Sequence, residues 1–206
     1  MASSLRLHRQ DNLARIELTN PDGFPRLATS LLEELDREID RLFADARCQA
    51  IVIHGSPQCF ATGADIAEVG ALSGVTALPF ARRGQLLFEK IARGPKPVVA
   101  AISGYCLGGG WDLALACWVR LATPDTVFRH PGATLGILTG WGGTQRLPQL
   151  LGRARTLELL LQGKALTAQR AADLGLVEEV VPGEQLLPRA LERAAQLAAR
   201  NQSLRT

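Results

Sequence analysis

Residues 104–117 read GYCLGGGWDLALAC, three consecutive glycines set against an apolar run of helical period that carries one acid, Asp112. Glycine gives up the most backbone freedom on folding, so three in a row need a reason. A glycine-rich junction between a buried strand and a helix lets a ligand approach the backbone and points free N–H groups at it. Three chemistries use such a junction. A dinucleotide site needs GxGxxG, whereas Gly104, Gly108, Gly109 and Gly110 give GxxxGGG. A phosphate-binding loop needs GxxxxGK followed by Ser or Thr, and here Trp111-Asp112 follows. The third is an oxyanion hole, in which backbone N–H groups face negative charge as it builds on a carbonyl oxygen. Such a hole needs a second donor, and Ala61-Thr62-Gly63-Ala64-Asp65 offers a similar strand-to-helix junction. The alternative is that both glycine sets only make tight turns.

Those junctions must be held by the elements around them. Ala14, Ile16 and Leu18 alternate with polar partners as a strand with one wet face, ended by the turn Asn20-Pro21-Asp22-Gly23. Ser30 and Glu33 predict a capping box for a helix that carries Leu31, Leu35, Ile39 and Leu42. AIVIHG (50–55), PVVAAISGY (97–105) and TVFRHP (126–131) read as buried strands. CFATGADIAEVGAL (59–72) reads as a turn feeding a helix, SGVTALPFARRG (73–84) as a loop, and 85–92 as an amphipathic stretch. Leu157, Leu160 and Leu161 suit a helix; Thr167 can cap 168–175, which Gly175 ends. A short strand at 177–181 precedes a last helix over about 184–199, with Leu187, Leu191, Ala194 and Leu197 or Ala198 on one stripe. Buried strands alternating with helices mean parallel units and an α/β domain.

The 206 residues suit a single domain able to bury a sizeable core. Net charge is +3 without a basic block, and one Tyr is available for base stacking, so nucleic acid is not expected as a partner. Cys48, Cys59, Cys106 and Cys117 lack metal-ligand spacing and sit in or beside apolar stretches, as buried reduced thiols would; no metal site is expected. No apolar run approaches membrane-spanning length, so the expectation is a cytoplasmic protein without a membrane partner.

FATGADIAE (60–68), PVVAAISGYCLGGGWDLALAC (97–117) and LGILTGWGGTQRLPQLLG (135–152) resemble the signature segments of the enoyl-CoA hydratase/isomerase superfamily, the crotonases. The likeness continues through LLLQGKALTAQRAADLGLVEEVVP (159–182), in order and with similar spacing. It implies an α/β, crotonase-like spiral of repeated ββα units with two nearly perpendicular sheets. Its spiral core would occupy 1–182, and 183–206 would start a C-terminal helical region that relatives continue further. It also implies an acyl-CoA thioester as substrate, no cofactor besides the coenzyme A carried by that substrate, and a homo-oligomer, trimer or hexamer. Ala64 and Gly109 fall where the family places the two N–H groups of its oxyanion hole. Ala61, Gly63, Asp65 and Ile66 fall in a segment that also borders coenzyme A, and Gly108 adjoins the hole.

The departures concern proton transfer. Hydratases of this family use two glutamates, and here those positions hold Asp112, one methylene shorter, and Gly132, which has no side chain. Losing an acid/base group costs on the order of 10²–10⁴ in rate, so weak or lost hydratase activity is expected. His130 is the nearest other proton carrier, against the alternative of a histidine merely packed in the sheet. The competing functions are decarboxylation or other enolate chemistry, and a non-catalytic acyl-CoA-binding or assembly subunit.

Overall fold

The computed structural model describes residues 3–203. The chain opens with an antiparallel hairpin, β1 (Ser4–Gln10) and β2 (Leu13–Thr19), and crosses to α1 (Thr29–Ala44). A repeat then begins: β3 (Ala50–His54), β4 (Cys59–Ala61), α2 (Ile66–Gly70) and α3 (Ala77–Arg93). The next turn holds β5 (Val98–Ile102), β6 (Tyr105–Leu107) and α4 (Gly109–Ala116). A third holds β7 (Val119–Ala122), β8 (Val127–Arg129), a 3-10 turn (Pro131–Leu135), α5 (Gly143–Leu151) and α6 (Arg153–Gln162). Last come β9 (Leu166–Thr167), α7 (Ala168–Asp173), β10 (Glu179–Val180) and α8 (Gly183–Ser203).

In each repeat the first strand joins a six-stranded sheet, β1-β2-β3-β5-β7-β10, and the second a four-stranded sheet, β4-β6-β8-β9. All neighbours are parallel except β1 with β2 and β8 with β9. This is the ββα spiral that the family resemblance implies. Strands β3, β5 and β7 are buried along their whole length because both faces of the large sheet are covered. Ile51, Ile53, Val98 and Ile102 face the main core with α1, Phe60, Trp111 and Phe128. Ala50, Val52, Val99 and Ala101 form the other face, on which α8 lays Leu186, Ala190, Ala194 and Ala198. Small residues on both sides let helix and sheet approach closely.

Several local readings change. The expected capping box at Ser30 and Glu33 does not form: α1 begins after Ala28 with no side-chain cap of its own. Its Thr29 N–H and hydroxyl donate instead to Glu68 Oε2, both at 2.9 Å, so the cap comes from α2. The expected loop over 73–84 is largely the start of α3. Pro79 sits in that helix's first turn, where no intrahelical N–H is needed, and Gly84 faces the Trp141 ring, which a Cβ would strike. The buried stripe of α8 keeps Ala194 and Ala198 as expected but takes Leu186 and Ala190 in place of Leu187 and Leu191, which are only partly buried. Thr167 caps α7 as expected, accepting from Arg170 N at 3.2 Å. The four cysteines are buried and free.

Candidate active site

Strands β4 and β6 are parallel neighbours, so the junctions that follow them emerge side by side. Gly63 has φ +91°, and a Cβ there would lie 2.8 Å from Gly109 N and 2.9 Å from Leu107 O. The three glycines each have their own reason. Gly108 has φ +50°, which side-chain-bearing residues avoid; a Cβ on Gly109 would strike the Trp141 ring, and one on Gly110 the Ala61 carbonyl. The position of that Gly109 Cβ is 3.5 Å from Ala64 N. Among the described residues, neither the Ala64 nor the Gly109 N–H donates to a protein acceptor. Gly109 opens α4, where unpaired N–H groups are inherent to a helix start.

Asp112 lies one turn into α4, fully buried, its N–H donating to Gly108 O at 3.0 Å. Its Oδ2 accepts from the Thr139 hydroxyl, while Oδ1 has no hydrogen-bond partner. Burial raises its pKa to about 6; the Thr139 hydroxyl, the Trp141 and Gly143 N–H groups and the Arg146 charge pull it the other way. Those two N–H groups approach without closing a hydrogen bond within normal geometry. Gly143 must lack a side chain, because Asp112 Oδ1 fills the place of its Cβ.

His130, directly after β8, is 3% exposed and stacks on Trp111 with centroids 4.8 Å apart and planes 18° from parallel. Its Nε2 is 3.5 Å from Asp112 Oδ1, just outside hydrogen-bonding range, and neither ring nitrogen has a partner. Burial lowers its pKa to about 4, so the ring is neutral near pH 7.

These groups line a cavity of about 260 Å³. Ile66, Val69, Phe80, Leu135, Ile137 and Leu138 give it an apolar lining. Gly132 lines it too, but a Cβ there would lie 2.5 Å from Ile137 O, because Ile137 N donates back to Gly132 O at 3.0 Å. Helix α3 fixes the segment that carries Thr139 and Trp141. Gln85 donates to Gly140 O at 2.8 Å, Glu89 pairs with Arg146 at 3.2 Å, and Phe80 packs on Trp141 at 5.3 Å.

A family model described as enoyl-CoA hydratase/isomerase matches residues 8–206. The chain belongs to that family. It is 42% identical over 189 residues to a probable enoyl-CoA hydratase of Bacillus subtilis, across 91% of this chain and 72% of that one. It is 44% identical over 191 residues to a fatty acid oxidation complex subunit alpha of Idiomarina loihiensis, covering 90% of this chain but 27% of that one. A solved enoyl-CoA hydratase of Bacillus anthracis superposes with a TM-score of 0.88 at 33% identity, over 96% of this chain and 77% of that one.

Within the enoyl-CoA hydratase/isomerase frame, the structure gathers Gly63, Ala64, Ile66, Gly108, Gly109, Asp112, His130 and Gly132 around one cavity. Two of the sequence-derived residues stand apart from it. Ala61 is sealed in the core against Gly110, and Asp65 caps α2, accepting from Ala67 N at 2.8 Å and Glu68 N at 3.3 Å. Thr139, Trp141 and Gly143 were missed as site residues. Their signal was present in the Thr-Gly-Trp-Gly-Gly run at 139–143, but nothing local says that it faces Asp112. Among the described residues no group of His, Cys, Asp and Glu could hold a metal ion, and no helix is long and apolar enough to cross a membrane.

Proposed function

We propose that this chain binds an acyl-CoA thioester and stabilises the enolate of its acyl group, the thioester oxygen lying between the Ala64 and Gly109 N–H groups. The observation that carries this is the pair of unpaired N–H groups in one corner of an apolar cavity, beside the buried Asp112. Each such donor is worth on the order of 10²–10³ in rate in a dry site. Among the described residues, Asp112 is the one carboxylate lining the cavity. Reactions served by a single proton-transfer centre, such as migration of a double bond, therefore fit better than water addition by two carboxylates, and hydration is weak. A second reading is loss of CO₂ from a malonyl-type thioester, favoured by Gly132: no second carboxylate is there to repel the one on the substrate. The chain also self-associates in this reading, supported by Leu150, Leu157 and Leu161 lying exposed on α5 and α6.

The test is to incubate the protein with crotonyl-, 3-hexenoyl- and methylmalonyl-CoA while following enoyl absorbance and CO₂ release, beside Asp112→Asn. Turnover of any of these that is lost in the variant supports the enzyme. Tight binding without turnover would leave only a binding subunit, and failure to bind coenzyme A thioesters would refute the reading altogether.

A further inference from the structure

Three buried polar atoms in the cavity lack partners: Asp112 Oδ1 and both ring nitrogens of His130. A histidine that merely fills a core has at least one nitrogen bonded. His54, the other buried histidine, meets this rule, its Nδ1 lying 2.9 Å from Gly55 O. His130 does not, yet its orientation is fixed by the Trp111 stack. The carboxylate is fixed as well. Thr139 occupies Oδ2, which leaves Oδ1 facing His130 Nε2 across 3.5 Å, in space that Gly143 keeps clear.

Resting on the reading of the cavity as a thioester site, we propose that Asp112 and His130 act as one proton-transfer unit, with Thr139 as the positioning residue that holds the carboxylate toward the ring. In the step, a C–H bond next to the thioester carbonyl breaks and its electron pair spreads onto the thioester oxygen at Ala64 and Gly109. The proton goes to the Asp112–His130 pair. Its return to either end of the enolate system restores a neutral acyl group, so nothing is oxidised or reduced. The other ionisable groups facing the pair are few. Arg146 on α5 favours the carboxylate and is itself tied to Glu89; the Cys106 thiol on β6 is pushed far up by burial and stays neutral. Above about pH 6 the carboxylate is charged and the ring neutral, which leaves the pair room for one proton.

Butyryl-CoA in deuterated water tests this directly, with α-deuterium read by mass spectrometry and binding by calorimetry. Asp112→Asn and His130→Gln should each slow exchange on the order of 10²-fold with binding retained. The double variant should be no slower than the worse single one, as members of one unit are not additive. Unchanged exchange in His130→Gln, or losses that multiply, overturn the pair. Exchange should fall as pH drops through about 6. Thr139→Val, which removes a bond favouring the carboxylate, should move that fall to higher pH, and Thr139→Ser should restore it; a fall that stays put overturns the positioning role. If the wild type fails to bind butyryl-CoA, the thioester reading fails by itself. The pair is then judged by NMR: His130 ring signals should show a step near pH 6 that disappears in Asp112→Asn, and identical curves overturn it.

Discussion

Two buried polar clusters share this chain, and they are built on opposite terms. Arg120, on β7, is 6% exposed and pairs each of its three side-chain nitrogens: Nε with Leu176 O, Nη1 with Cys117 O, both at 2.8 Å, and Nη2 with Glu178. Its own N–H donates to the other oxygen of Glu178 at 2.7 Å. That cluster clasps β7 to the segment leading into β10 and leaves no Arg120 side-chain nitrogen without a partner. The Asp112–His130 cluster is buried more deeply and leaves three atoms unpaired beside a cavity. Burying polar groups unpaired costs stability. A completed network holds a fold together; an incomplete one beside a cavity keeps polar atoms free to bond whatever enters it.

Removing a member of each cluster should therefore move stability in opposite directions. Arg120→Ala strands two carbonyls and a part-exposed Glu178, and should destabilise by about 3–5 kcal/mol in urea titration. Asp112→Asn should do the reverse at pH 8. The native pKa of Asp112 is raised from the ordinary 3.8 to about 6, so the penalty of its charge is absent below about pH 4 and full above about pH 6. About two units at about 1.4 kcal/mol each give a gain of about 3 kcal/mol at pH 8 and little change at pH 4. If both variants destabilise at pH 8, the contrast between the clusters is wrong.

His130 carries the opposite sign. Its native pKa is lowered from 6.5 to about 4, so its contribution is present above pH 6.5 and lost as pH falls through about 4. His130→Gln should remove part of the acid sensitivity of the wild type between those limits, measured as Tm against pH. The smallest effect concerns a completed contact nearer the surface. Glu68→Ala removes the cap on α1 and should cost about 1 kcal/mol in thermal melts, with α-proton exchange retained.

The legible parts of this molecule were those whose cause is local. Runs such as AIVIH and VVAAI announce buried strands because covered faces need no polar alternation. The short strands β4, β6 and β9 have two or three residues each and exist through their neighbours, so no periodicity could find them. Gly84 looked like loop punctuation, yet the Trp141 ring more than fifty residues later explains it. Likewise Ser30 and Glu33 have the spacing of a cap, but Glu68 reaches α1 from another element. In the site, the resemblance located Ala64, Gly109 and Asp112, whereas the approach of Thr139 to Asp112 depends on the path of a segment held by α3.

The Ile137 carbonyl, 2.5 Å from where a Cβ on Gly132 would sit, also sets the order in which this site could be rebuilt. Any side chain at position 132 requires the backbone at Ile137 to shift with it. That segment in turn has nothing pressing it outward while the glycine remains. Anyone wishing to graft an acid here should begin by rebuilding residues 136–138 and substitute Gly132 last.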